Sequence, residues 1–312
     1  MKLVVSSFIN VKESLALYDI DLKSGTYKKL ATDDLNSPCF VILAENYIVT
    51  YTKEPLYLLC YKISENKFEK IDSFKMPGIS MTHLVYSAKN KKLFGASYED
   101  GALMSIDFKD GKFSNLKYLK QGKENEDSKC HCVTLNEEET KLIVTNIALD
   151  KLFVYDMNLN LIETFEIEKG KGPRHTISKG KLLYIMTEYS NEVIIIDTET
   201  KKIIETISTL QKKVESTGST LLFNKSGNIL FTGNRGEETI ACFKVLGNGL
   251  IEFKEDFDCG GKHPRHIILS KDGENLIICN KNTNTVTFMN ANDGKIFLNI
   301  PFTEPSGICE IS

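Results

Sequence analysis

The sequence predicts an all-β chain folded as a seven-bladed β-propeller, each blade a four-stranded antiparallel sheet. Three observations lead there. Runs of four to eight residues rich in Val, Ile, Leu, Phe and Tyr recur along the chain, as in Lys181–Met186, Val193–Asp197 and Asn228–Thr232, separated by turns of Asn, Asp, Gly and Lys. These runs follow a template that starts near Pro38, Ser80, Lys129, Pro173, Gly218, Pro264 and Pro305, at intervals of 41 to 49 residues. That period fits one four-stranded blade. The two ends are complementary: the last start has room for one strand, Gly307–Ile311, while Leu3–Thr32 supplies three strands and lacks a first.

Taken in order, the N-terminal three strands therefore expect the C-terminal strand as their innermost partner, which closes the ring and leaves no free end blade. Five complete repeats from Pro38 to about Gly260 follow, and a sixth from Pro264. The charged stretch Gln121–Lys129 reads as a long solvated loop between blades three and four. No linker or low-complexity segment divides residues 1–312, so one propeller domain is expected.

Composition narrows the function. A net charge of −3 gives no basic field to recruit nucleic acid or anionic membrane. The N-terminus lacks a signal-peptide pattern, and no apolar run approaches the ~18 residues of a membrane span. The eight Cys are scattered, several inside strand-like runs, which suits free thiols in a reducing cytoplasm. Of 39 basic residues only Arg174, Arg235 and Arg265 are Arg. The guanidinium is a planar fork suited to carboxylate or phosphate, so all three are expected to bind anions.

Meander topology then sorts the polar residues. The start of a first strand and the end of a second strand lie on one face of the disc, near its axis. Aligned second-strand ends read Tyr98, Ile147, Glu188, Arg235 and Lys281, and first-strand starts contribute His83, His131, Arg174 with His175, and Arg265 with His266. His131, Arg174, Glu188, Arg235 and Arg265 are thus expected around one mouth of the central channel. A structural salt-bridge network between blades five and six is the competing account of Arg174, Glu188 and Arg235, and His175 and His266 are equally placed to brace neighbouring blades. Cys130-His131-Cys132 has the composition of a metal cluster, but strict strand alternation puts the two Cys on one face and His131 on the other, and no second ligand pair is evident, so neither metal nor cofactor is expected.

Several of these segments resemble a known family. Cys130-His131-Cys132-Val133 with Leu149–Tyr155, Gly172-Pro173-Arg174-His175 with Thr187-Glu188, Ser226-Gly227 through Asn234-Arg235-Gly236 with Ile240–Phe243, and Pro264-Arg265 with Gly273 are similar to elements of the seven-bladed propeller lactonases. That family includes the cycloisomerase-type 6-phosphogluconolactonase of bacteria and the fungal carboxymuconate lactonising enzyme. The resemblance covers about residues 75–300. It implies a lactonase acting on a small anionic lactone, 6-phosphogluconolactone first, with His131, Arg174, Glu188 and Arg235 catalytic. Arg265, His175 and His266 stand beside them as substrate-binding candidates. Two positions depart from the family pattern: Asn146-Ile147 replaces Asp-Leu, and Ser219-Thr220-Leu221 replaces Ala-Glu-Ile. In this reading Glu188 and His131 do acid–base work, Arg174 anchors and polarises, and Arg235 meets substrate charge. A muconate-type cycloisomerase and a non-catalytic propeller that binds a protein partner are the alternatives.

Overall fold

The structure, a computed structural model, describes residues 1–123 and 126–311. Its strands form seven four-stranded sheets, and each sheet is one antiparallel meander. Blade 1 holds Lys2–Ser7, Leu15–Asp21 and Thr26–Asp33, with Pro305–Glu310 as its innermost strand. The innermost strands of blades 2 to 7 are Val41–Ala44, His83–Ser87, Cys130–Leu135, Pro173–Lys179, Thr217–Phe223 and Pro264–Leu269. The predicted repeat starts and ring closure are therefore both observed.

No central core exists, because the axis is a channel. Apolar burial is instead divided among seven clusters, each shared by two neighbouring blades. The second and third strands are covered on both faces and read as continuous apolar runs: Leu182–Thr187 is buried throughout. Outer strands face solvent, and Thr26–Asp33 is mostly exposed. This is why the sequence reads as clean strands near each blade's centre and polar strands at its rim.

Two local features aim side chains into the channel. The first is a β-bulge near the start of the innermost strand, between Cys130 and Cys132, Pro173 and His175, Gly218 and Leu221, and Pro264 and His266. An extra residue without a cross-strand partner bends the strand and redirects its side chain. The extra residues include His131, Arg174 and Arg265. The bulge also corrects the alternation expected for Cys130-His131-Cys132. Cys130 pairs with Asn146 and Cys132 with Thr145, successive residues of the next strand, so the two thiols take opposite faces. Cys130 joins the apolar cluster between blades 3 and 4.

The second feature is a buried polar residue at the channel end of every second strand: Ser7, Thr52, Ser97, Asn146, Thr187, Asn234 and Asn280. Their side chains hydrogen-bond to the turns and strands around them. Asn234 Nδ2 donates to the Thr209 carbonyl at 2.9 Å and to Thr239 Oγ1 at 3.2 Å, and Asn280 Nδ2 donates to the Cys259 carbonyl at 2.7 Å. Asn146 Nδ2 donates to Gln121 Oε1 at 2.9 Å. Gln121 is buried and also donates to the Tyr155 hydroxyl at 3.4 Å. The expected solvated loop therefore begins on an anchored residue, and its positions 124 and 125 lie outside the described residues.

Candidate active site

Immediately after these buried polar residues come Phe8, Lys53, Tyr98, Ile147, Glu188, Arg235 and Lys281, of which Phe8, Lys53, Tyr98, Glu188 and Arg235 line one cavity. Glu188 follows the strand Leu182–Thr187, and its N–H donates to the Gly172 carbonyl at 2.7 Å. Gly172 has φ +66° and packs so closely on Tyr189 that a Cβ there would lie 2.6 Å from the ring. That tight turn delivers Pro173 and Arg174 to the channel. Gly218 allows blade 6 to approach blade 5: a Cβ would sit 2.1 Å from the Thr187 carbonyl oxygen. Its N–H donates to the Glu188 carbonyl at 2.8 Å.

These approaches assemble the predicted trio. Arg174 Nε lies 2.9 Å from Glu188 Oε2, and one Arg235 terminal nitrogen lies 3.3 Å from the same oxygen. Arg174 also donates to the Ser219 carbonyl at 2.7 Å, and Arg235 to the Gly218 carbonyl. Both guanidiniums are buried, while the Glu188 side chain is 20% exposed. The Nε–H of Arg174 has no well-directed acceptor, although it sits at ion-pair distance from Glu188. The group is thus a buried cationic clamp on one carboxylate that still reaches the open cavity.

That cavity measures about 310 Å³ and is lined by all five residues expected at the mouth: His131, Arg174, Glu188, Arg235 and Arg265. Phe8, Lys53 and Tyr98 line it too, and they were not among the candidates. A signal for two of them existed. The column that singled out Glu188 and Arg235 already contained Tyr98, and extending it into blade 2 reaches Lys53, five residues before Leu58; the longer turn after Phe8 breaks that spacing and hides it.

His175 and His266, expected to bind substrate, lie in a narrower neck with His83. His83 and Phe40 pack at 4.6 Å between ring centres, Phe40 and His266 at 5.0 Å, and His83 and His175 at 5.4 Å. His131 bridges the two levels. Its ring is 5.3 Å from His175 and 6.1 Å from Tyr98, and its buried Nδ1 has no partner. Burial first, then the charges of Arg174 and Arg265, hold His131 well below the ordinary histidine value. Burial and those charges favour the neutral imidazole over a charged proton donor. In the neck, ligand atoms of His83, Cys132 and His175 lie within 4.8 Å of one another. Any metal ion there would have to displace a thiol proton whose pKa burial pushes up to about 12, beside the Arg174 guanidinium.

The neck makes stability depend on pH. Burial lowers His83 and His266 to about 3, and burial with neighbouring positive charge holds His131 and His175 well below their usual value. Above about pH 6.5 these imidazoles are neutral in folded and unfolded chains alike. Below it the unfolded chain takes up protons that the folded neck refuses, so stability falls down to about pH 3. Each histidine contributes up to roughly 1.4 kcal/mol per pH unit. Urea unfolding at about pH 6.5 and 5.5 is expected to show a loss of a few kcal/mol; equal stabilities at the two pH values would mean that the imidazoles protonate in place.

Comparison with known proteins agrees with this architecture. Residues 2–299 match the family described as "Lactonase, 7-bladed beta-propeller". The chain is 25% identical over 302 residues to a 6-phosphogluconolactonase of Bacillus subtilis, covering 86% of this chain and 84% of that one. It is 23% identical over 317 residues to a 6-phosphogluconolactonase of Formosa agariphila, covering 90% of each. Among solved structures, the periplasmic gluconolactonase of Pseudomonas aeruginosa superposes with a TM-score of 0.87 at 18% identity, covering 98% of both chains. The repeat, the ring closure and the profile match over nearly the whole chain lead to one conclusion: this protein belongs to the seven-bladed β-propeller lactonase family.

Proposed function

We propose that the protein hydrolyses a sugar lactone, 6-phosphogluconolactone, to its open-chain acid in the mouth cavity. The observation that carries this reading is Glu188, held by two buried guanidiniums yet open to a cavity sized for a small ligand. The two relatives from Bacillus subtilis and Formosa agariphila, which cover 86% and 90% of the chain, carry that activity in their names.

Opening a lactone requires an activated water, a stabilised oxyanion and a proton for the leaving oxygen. In the proposed mechanism Glu188 takes a proton from water as the water oxygen bonds to the lactone carbonyl carbon. Arg174 and Arg235 stabilise the charge that develops on the carbonyl oxygen. The ring carbon–oxygen bond then breaks, and the departing alkoxide recovers the proton from Glu188. Neutral His131 lines the same cavity and presents its imidazole edge to the substrate. This assigns the general base to Glu188. The eight free, buried thiols support a reducing, cytoplasmic setting, and no helix among the described residues is long and apolar enough to cross a membrane.

The test is acid release from a panel of sugar and phosphosugar lactones. Hydrolysis confined to, or strongly favouring, the phosphorylated lactone is the expected result. No acid release from any lactone would remove the enzymatic reading in favour of a binding role.

A further inference from the structure

The half of the mouth opposite Glu188 is built differently. Blades 7, 1 and 2 bring three cations around one aromatic ring, that of Phe8. The Arg265 guanidinium carbon lies 4.4 Å from the ring centre, Lys281 Nζ 4.7 Å and Lys53 Nζ 5.7 Å. The ring face attracts each cation, but the cations repel one another, so the cluster is poised for an anion. Lys53 is paired with Glu99 at 2.9 Å and Lys281 with Glu304 at 3.2 Å, both with carboxylates that are partly exposed. Arg265 is not paired: among the described residues no carboxylate lies within 4.0 Å of its guanidinium. Arg174 and Arg235, in contrast, share Glu188. Arg265, Lys53 and Phe8 line the same cavity as the Glu188 clamp.

We infer that this sector is a phosphate subsite, with Arg265 as its main ligand and Lys53 and Lys281 beside it. The inference rests on the lactonase reading and deepens it, because it names what selects the substrate. A phosphate monoester carries close to two negative charges at neutral pH and three terminal oxygens. A free guanidinium with two flanking ammonium groups matches that better than it matches a single carboxylate. By formal charge the two halves are equal, so it is the unpaired Arg265 that marks this sector. Two guanidiniums and Glu188 leave one positive charge on the catalytic half; Arg265, Lys53 and Lys281 with Glu99 and Glu304 leave one on the other. In a 6-phosphorylated lactone the reacting carbonyl and the phosphate stand at opposite ends. A ligand laid across the pore presents the carbonyl to Glu188 in blade 5 and the phosphate to blades 7, 1 and 2.

Calorimetric titration of the full chain tests this without depending on turnover. The probes are 6-phosphogluconate, gluconate and inorganic phosphate. The wild type is expected to bind 6-phosphogluconate at least about tenfold more tightly than gluconate, with inorganic phosphate competing. Arg265→Met, which keeps an apolar chain against Phe8, is expected to collapse that preference to near unity, and Lys53→Met to reduce it several-fold. No preference in the wild type, or a preference intact in both variants, would overturn the subsite. Lactone turnover measured in parallel separates the two readings. Preference without hydrolysis leaves the subsite standing and removes the lactonase; hydrolysis without preference removes the subsite alone.

Discussion

Glu188→Gln is expected to lower the turnover of 6-phosphogluconolactone by about 10²–10⁴-fold, the usual worth of a positioned general base. The loss should appear in kcat more than in KM, because the amide keeps the shape of the site and removes only the proton acceptor. Stability should fall as well. Arg174 and Arg235 are buried and share the Glu188 carboxylate, so its removal leaves two buried guanidiniums without their counter-charge, at a cost of about 3–5 kcal/mol. A folded-state check by circular dichroism and a Glu188→Asp variant keep the two effects apart. Asp retains the charge on a shorter arm and is expected to recover part of the activity. A Glu188→Gln protein that melts earlier but still hydrolyses lactone at the wild-type rate would reduce the trio to a clip between blades 5 and 6.

Deletion of residues 305–312 is expected to abolish cooperative folding. The strand Pro305–Glu310 is the innermost of blade 1 and pairs with Lys2–Ser7 from Leu3↔Glu310 to Ser7↔Pro305. It also ties blade 1 to both neighbours: Ser306 Oγ donates to the Cys39 carbonyl at 2.8 Å, and Glu310 accepts from the Lys271 N–H at 2.7 Å. Ile308 belongs to the apolar cluster between blades 7 and 1, and Cys309 to the one between blades 1 and 2. Removing the strand opens an inner edge at Val4 and Val5 and weakens two of the seven interfaces at once. The loss exceeds about 5 kcal/mol, the lower end of an ordinary domain's total stability. Thermal melting followed by circular dichroism decides the matter. A truncated chain that melts within a few degrees of the intact one would show that ring closure contributes little.

The blade count, strand order and mouth residues were legible in the sequence for a local reason. A meander of short antiparallel strands is specified by apolar runs and turns within one repeat, and the period of 41 to 49 residues exposes it. Because the topology is fixed, equivalent positions in successive repeats must share one face of the disc, which is why Arg174, Glu188 and Arg235 could be placed together before any distance was known. Lys53 obeys the same rule, five residues before Leu58, whereas the longer turn after Phe8 breaks that spacing and hides it.

What the sequence by itself determined, then, was that His131, Arg174, Glu188, Arg235 and Arg265 share one end of the pore. The tertiary structure decided how they meet. The bulge at His131 sends Cys130 and Cys132 to opposite sides, since an inserted residue breaks the two-residue alternation that strand reasoning assumes. The charge state of His131 was likewise undecidable from its side chain. It follows from burial beside guanidiniums supplied by other blades, Arg174 from the neighbouring blade first and Arg265 from blade 7 after it. Pairing was the last such decision: Glu188 engages Arg174 and Arg235, while Arg265 is left facing the cavity, because only the packed ring sets which charges come within reach of one another.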